Sequence, residues 1–356
     1  MSDVVDLAKP AATPAPAKAP VPRGRPSLLR GLVPLLGGLV VFVVAIVAMV
    51  DQGWWQLLVA VLGLALLHSG GSALGRRRWG AGFDLTAWLC GIWLAVLLAG
   101  AIFVPWLPLG EHQNLAAALG EPTMARPNLL TDRPLGTNNF GLDLLARVLY
   151  GARSSLVVSI GAVLIGLVVG GSIGILAGYF RKTTDTVVGI LTNALLAVPP
   201  LILLIALATV LEPNLRNIAF GLSLTAMPSM IRMARANTLT FAQREFVLAG
   251  RSMGASNIRL MSRELLPNVM LPLLSYGMVI VSVLIVAEAS LSFLGLGIQA
   301  PEPSWGNMIA EGEGATFEQH PHIVLVPGVV VFLTVFSFNL LGERARKRFD
   351  SRQAQL

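Results

Sequence analysis

The chain has 356 residues, 54% of them apolar and 13% charged, against roughly a quarter charged in soluble domains, which excludes an ordinary water-soluble fold. Its formal charge of +7 invites nucleic acid, yet Lys and Arg stand in short segments beside apolar runs, where membrane topology and lipid account for them. Those runs are about 20 residues long and do not alternate with polar residues, so a β-barrel is excluded and an all-α polytopic membrane protein is expected.

Residues 1–28 are rich in Ala and Pro and poor in large apolar residues, a composition that cannot build a core and predicts a disordered tail. Arg23, Arg25 and Arg30 precede the next apolar run in the manner of a signal peptide. Leu32–Val50 is long enough to span, however, and no small-x-small cleavage site follows, so it is expected to be retained. With the shorter run Trp54–Leu67 it forms a predicted N-terminal transmembrane hairpin over 29–75.

Further spans are predicted at Leu85–Val104, Leu156–Phe180, Val187–Leu211, Ile218–Ala236, Val269–Leu294 and Ile323–Leu341. Cys90, inside the first of these, is the only cysteine and cannot form an internal disulfide. Two segments between spans are long enough to suggest a role, 105–155 and 298–322. In the first, Phe140, Leu142, Leu144, Leu145, Val148 and Leu149 recur at roughly helical spacing, interleaved with Asp143 and Arg147. That pattern predicts a short interfacial helix, or a lid that only packs on the bundle. The second has no basic residue and carries Glu302, Glu311, Glu313 and Glu318. His320 and His322 are close in sequence, but no Cys or carboxylate cage accompanies them and no metal site is expected.

Placing both termini in the cytoplasm puts all but five of the 26 basic residues inside, as the positive-inside rule requires. Arg126, Arg133, Arg147, Arg153 and Arg216 are the five left outside.

Within the spans, Gly166, Gly170, Gly174 and Gly178 continue a four-residue repeat from Ala162. Small side chains on one face let helices approach closely, either within the chain or at a subunit seam. Glu288 lies at membrane depth without an obvious intramembrane Lys or Arg partner. A lone acid there suits a structural or gating role better than a proton relay, which strings several ionisable groups together. Ser290 and Trp305 join it as gating or translocation candidates, with Trp305 expected to anchor at the membrane interface. Pro199-Pro200 should kink or break its span.

The segment 238–268 is polar, basic and punctuated by glycine, between two apolar runs. Phe246, Val247 and Met253 offer apolar contacts at near-helical spacing; Gly254 can close a helix in a left-handed conformation, and Pro267 can restart one. Such a segment is a handle for a soluble partner, or a basic loop held to anionic lipid.

From about Leu85 to Asp350 the chain resembles the C-type permease subunit of dipeptide, oligopeptide and nickel ABC importers. The marks are Pro134-Leu-Gly-Thr-Asn-Asn-Phe-Gly-Leu-Asp143, Gly151-Ala-Arg-Ser-Ser-Leu156, Gly178-Tyr179, Asp185 and the Pro199 region. Gly254-Ala-Ser256 and Leu266-Pro-Asn268 match the family's coupling motif. Glu288-Ala-Ser-Leu-Ser-Phe-Leu-Gly-Leu-Gly297, Pro303-Ser-Trp-Gly306, Glu311-Gly312 and Phe338-Asn-Leu-Leu-Gly342 complete the order. Two departures stand out. Leu248-Ala249-Gly250 replaces the family's Glu-Ala-Ala, with Glu245 one turn earlier as a possible substitute. Gly136-Thr137-Asn138 and Gly141-Leu142-Asp143 replace Gly-Thr-Asp and Gly-Arg-Asp, losing an acid and a base together.

The resemblance implies a type I ABC importer permease bundle of six core transmembrane helices over 85–350, with the N-terminal hairpin as an addition. It implies a bacterial inner-membrane location and a non-catalytic role in importing di- or oligopeptides, with nickel or other small solutes as alternatives. The implied partners are a homologous B-type permease, two cytoplasmic ABC ATPases that bind the ATP and Mg, an extracytoplasmic substrate-binding protein, and membrane lipid. The chain itself, which has no phosphate loop, would bind no cofactor. The implied ATPase-coupling residues are Glu245, Phe246, Val247, Leu248, Ala249, Gly250, Arg251, Met253, Gly254, Ala255 and Ser256. An ion-coupled secondary transporter would show paired interior charges and inverted repeats, and an intramembrane enzyme a nucleophile or metal constellation; neither pattern is convincing here.

Overall fold

The computed structural model describes residues 28–47, 54–80, 82–128 and 131–353. Apart from Leu28, the predicted tail lies outside them, as does the end of the first predicted span. The chain divides into two compact units, 1–86 and 87–356.

In the first unit α1 (Leu28–Val47) and α2 (Trp54–Trp79) run antiparallel. Glycines bring them together: a Cβ on Gly38 would lie 2.6 Å from the Leu67 nitrogen, and one on Gly70 2.5 Å from the Leu35 nitrogen. α2 is longer than its apolar run, because the helix continues through Arg76, Arg77 and Arg78, cations that suit the negative end of its dipole. The apolar stretch described in α1, Gly31–Val41, is short of a full crossing.

The second unit begins within α3 (Leu85–Phe103), which ends in a 3-10 turn at Val104–Trp106. α4 (Leu144–Ile165), a π segment (Gly166–Gly170) and α5 (Gly171–Phe180) form one 37-residue helix. α6 (Lys182–Ala197) and α7 (Pro200–Ala208) meet at a bend of 81°. The bend falls at Pro199-Pro200 because two prolines in succession remove donors from the helix ladder. α8 (Leu215–Phe241) is followed by the short α9 (Glu245–Ser252). α10 (Asn257–Arg259), a π segment (Leu260–Leu265) and α11 (Leu266–Phe293) make a second helix of 37 residues. α12 (Trp305–Glu311), α13 (Ala315–Gln319) and α14 (His322–Gln353) complete the chain.

Four of these rods are long and apolar enough to cross a membrane, and the bent α6–α7 pair is a fifth. α8 is the sixth. It has 27 residues but carries Ser223, Thr225, Arg232, Arg235 and Asn237. Its polarity is tolerable because it packs against α4, α5, α6, α7 and α11 and its hydroxyls bond its own backbone, Ser223 to the Phe220 carbonyl at 2.7 Å and Thr238 to that of Ala234 at 2.8 Å.

Ile218, Leu222, Ala226, Met230, Ala234 and Thr238 give α8 a buried row at every fourth residue. The glycine row of α4–α5 lies in that row. A Cβ on Gly170 would meet the Met227 carbonyl oxygen at 3.0 Å, one on Gly174 the Ile231 carbonyl oxygen at 2.5 Å, and one on Gly178 the Arg235 carbonyl oxygen at 2.9 Å. Gly166 is looser, 3.5 Å from the Ala226 Cβ. The pairing runs in the same direction on both helices, so α4–α5 and α8 are parallel neighbours through interlocking four-residue ridges.

Three local expectations change. No separate interfacial helix stands within 140–149: Asp143 caps α4, and the helix runs on from Leu144, so the segment predicted as 105–155 ends at Asp143. Leu142, Leu144 and Val148 are buried, the last two packing with Met308 and Ile323, while Phe140 is exposed. The interleaved charges are a helix cap, Asp143, and one half of a buried ion pair, Arg147 with Glu311, not a face turned to lipid headgroups. Residues 238–268 are mostly helical, since α8 extends to Phe241 and α10 begins at Asn257. Pro267 stands in the first turn of α11, where its missing N–H is tolerated, but the π segment before it runs into that turn without a break, so no separate rod begins there.

Candidate functional site

A hydrocarbon core takes about 20 helical residues, so each 37-residue rod has turns to spare. The surplus of α11 begins with α10 and the π segment, and α9 packs against that end. Glu245 occupies the first turn of α9, where an acid suits the dipole. Val247 is fully buried and pins the helix to the bundle. Gly250 lies against Leu260, whose Cδ2 would be 2.8 Å from an added Cβ.

The turn after α9 is a Schellman motif. The Gly254 N–H donates to the Arg251 carbonyl at 3.1 Å and the Ala255 N–H to the Gly250 carbonyl at 3.0 Å. Gly254 has φ +78°, the left-handed conformation that closes such a turn. Ser256 caps α10, its Oγ accepting from the Arg259 N–H at 3.4 Å. Leu248 and Ala249 face solvent beside the exposed Phe246, and Met253 and Ile258 are 82% and 76% exposed. Arg251 folds back over Tyr179, its guanidinium carbon 5.7 Å from the ring centre and its Nη2 3.4 Å from Oη. The result is a helix–turn–helix with an exposed apolar ridge and a single buried anchor.

In the bundle, Glu288 is fully buried on α11. Its Oε1 accepts from Ser292 Oγ at 2.7 Å, and Ser292 Oγ accepts in turn from the Ile298 N–H at 3.0 Å. From α4 the buried Ser155 hydroxyl faces the same carboxylate. Ser290 is half-buried and bonds the Val286 carbonyl at 2.8 Å, so it is not part of that cluster. Trp305 is fully buried, and its indole N–H donates to the Val148 carbonyl at 3.1 Å. It therefore is not an interfacial anchor but a plug between α12 and α4, seated over Gly151. A capping box between Ser304 and Asn307 fixes its helix.

At the opposite end of the α4–α5 rod lies a lid that the sequence did not reveal as a unit. Arg147 is 1% exposed and pairs with Glu311 at the end of α12; its Nη1 also donates to the His112 carbonyl at 3.0 Å. The amides of Asn138 and Asn139 donate to the Glu311 side chain and carbonyl, each at 2.8 Å. Asn138 Oδ1 accepts from the Phe140 and Leu142 N–H groups, which folds its loop. A lone Arg among apolar residues at buried spacing was the available signal.

Electrostatics follow from these contacts. Burial pushes the Asp143 carboxyl up, against the N–H donors of Leu145 and Gly110. The N–H groups of Asn114 and Gln113, ahead of His112, hold Glu111 below its usual range. His112 stacks on Tyr150 at 3.6 Å, and burial, helped by the charge of Arg147, lowers its basicity against the pull of Glu111. Among the described residues no group of three His, Cys, Asp or Glu side chains could hold a metal ion.

A family model described as "Binding-protein-dependent transport system inner membrane component" matches residues 170–355. Over 260 residues the chain is 33% identical to the di/tripeptide transport system permease protein DppC of Pseudomonas aeruginosa, covering 73% of this chain and 86% of that relative. It is 34% identical over 216 residues to the glutathione transport system permease protein GsiD of Pectobacterium atrosepticum, 61% of this chain and 71% of the relative. Among solved structures, an inward-facing form of the MetNI methionine ABC transporter shares the fold, with TM-score 0.50, 19% identity, and coverage of 58% of this chain and 97% of that one.

Proposed function

This chain belongs to the binding-protein-dependent transport system inner membrane component family, and from that premise we propose that it is the C-type transmembrane subunit of an ATP-driven peptide importer. The peptide assignment rests on relatives named as di/tripeptide, dipeptide and glutathione permeases. The observation that carries the mechanism is the exposed ridge Phe246, Leu248, Met253 and Ile258, mounted on the projecting end of α11.

In this reading the ridge docks a cytoplasmic ABC ATPase, one of two in the assembly, with the second engaging a homologous B-type permease. The partners hold ATP and Mg and perform the chemistry; this chain supplies a translocation path and no catalytic group. An extracytoplasmic binding protein delivers peptide at the lid end, and both termini lie in the cytoplasm. The α1–α2 hairpin is read as membrane-embedded. ATPase closure displaces α9–α10 and biases the bundle between two states, a rigid-body switch driven by differential binding. Leu248 supplies apolar contact, and Glu245, three residues earlier on the same face, supplies the charge. Arg251 is placed to sense the joint from the side of the bundle.

The test is ATP-dependent uptake of labelled dipeptide by proteoliposomes holding the full complex, with Met253→Asp and Ile258→Asp introduced singly. The expected result is intact folding with loss of ATPase co-purification and uptake. Uptake that persists without ATP hydrolysis and collapses with an uncoupler would replace this reading with an ion-coupled one.

A further inference from the structure

Tyr179 is the penultimate residue of α5, at the point where four elements converge. Its ring lies beneath Arg251 of α9, and its hydroxyl donates to Asn257 Oδ1 of α10 at 2.8 Å. One residue earlier, Gly178 is locked to α8, where a Cβ would meet Thr238 Cβ at 2.8 Å. Two residues later the chain turns into α6 through Arg181 and Lys182, with φ +55° and +45°. Consecutive non-glycine residues in that half of the map are uncommon and mark a constrained joint. Just beyond, Asp185 of α6 pairs with Arg235 of α8, the Nη2 to Oδ2 distance being 2.6 Å.

The contacts of Tyr179 are of different kinds and reach both limbs of the coupling segment. The ring face meets the Arg251 cation of α9, while the hydroxyl donates a neutral hydrogen bond to Asn257 of α10 and accepts a longer one, 3.4 Å, from Arg251 Nη2. Between those limbs, Gly254 has no heavy atom within 4 Å of where its Cβ would be, so tertiary packing does not brace the turn there. Val247 and Leu260 hold the segment by apolar burial, which resists separation but is not directional. The Tyr179 contacts are directional. They connect to α8 through Gly178 and to α6 through the Arg181–Lys182 joint.

We propose that Tyr179 is a positioning residue that transmits displacement of α9–α10 to the α5 end of the long α4–α5 rod. From there the displacement reaches α8 through the glycine row. The proposal rests on the reading of α9–α10 as the ATPase-docking segment.

The experiment uses the whole reconstituted complex with Tyr179→Phe, Asn257→Ala and the double variant. Three quantities are read: ATPase retained on purification, ATP hydrolysed without peptide, and ATP hydrolysed per dipeptide imported. Tyr179→Phe keeps the ring under Arg251 and removes only the hydroxyl. It should leave the first two quantities unchanged and raise the third about threefold, the scale set by one neutral hydrogen bond. Asn257→Ala, which leaves the Arg251 contact in place, should raise the ratio by no more than that, and the double variant no more than Tyr179→Phe alone. An unchanged ratio, additive effects, or loss of ATPase in step with the ratio would each overturn the proposal. Failure of the unsubstituted complex to import dipeptide with ATP would instead count against the proposed function.

Discussion

The Arg147 guanidinium at the start of α4 is buried against the carboxylate of Glu311 at the end of α12, 164 residues further along the chain. Asn138 and the His112 carbonyl complete the cluster, so the loop before α4 and the segment before α14 close as one lid. Removing one member of a buried pair leaves the other charge uncompensated, at a cost of about 3–5 kcal/mol; Glu311 is 14% open, which favours the lower end. Glu311→Ala should therefore lower the melting temperature in detergent clearly, and Arg147→Met with Glu311→Leu should recover much of the loss. A double variant as unstable as the two singles summed would show that the residues act independently.

Gly174 has no room for a side chain, because an added Cβ would lie 2.5 Å from the Ile231 carbonyl oxygen and 2.7 Å from Ala234 Cβ. Backbone cannot retract as a flexible side chain can, so Gly174→Ala should cost about 1–3 kcal/mol, and Gly170→Leu more. Gly189, with no neighbour within 4 Å of its Cβ position, is the control: Gly189→Ala should stabilise α6 by roughly 0.5–1 kcal/mol through helix propensity. Equal melting temperatures for Gly174→Ala and Gly189→Ala would contradict close packing of α5 on α8.

Gly254 is free of neighbours but has φ +78°, so a substitution there acts through backbone conformation alone. Gly254→Val should cost about 1–2 kcal/mol locally, with Gly254→Asn milder. The readout is hydrogen exchange at the amides of Gly254 and Ala255, which donate to Arg251 and Gly250. Exchange there should accelerate while global melting barely moves. Unchanged exchange in the Val variant would mean the Schellman turn is not the state in solution.

His112 is less basic in the folded chain than its ordinary value of 6.5, through burial and the charge of Arg147. The unfolded chain therefore takes up the proton first as pH falls from that value, and folding loses stability until the lowered folded value is passed. Below it the penalty stays constant. Lid amides over 110–143 should exchange faster as pH is lowered from about 6.5, once intrinsic exchange is corrected. His112→Phe keeps a ring for Tyr150 and should flatten that dependence; an unaltered slope would assign it to another group.

Much of the bundle was legible in advance. Apolar run length placed all six rods of the second unit, although α4 was placed twelve residues late because its first turns carry Asp143 and Arg147 at its mouth. The proline pair gave the bend between α6 and α7, and glycine at 254 gave the turn. The lid was not legible. Its members Glu111, Asn138, Arg147 and Glu311 are individually ordinary surface residue types, and only their packing makes them a cluster. Trp305 misled for a related reason: aromatic residues near span ends suit an interface, and the hydrogen bond to Val148 that buries this one joins positions 157 apart.

The sequence by itself determined the helical membrane class, the family motifs and the local geometry of α9 and its Gly254 turn. These are properties of neighbours within about four residues, where helix periodicity and backbone freedom are written directly into residue order. The tertiary structure decided which helix the glycine row faces, that Trp305 is interior, that Arg147 finds Glu311, and that Tyr179 touches both limbs of the coupling segment. Such pairings depend on which rods become neighbours, and that is set by the combined packing of the whole bundle.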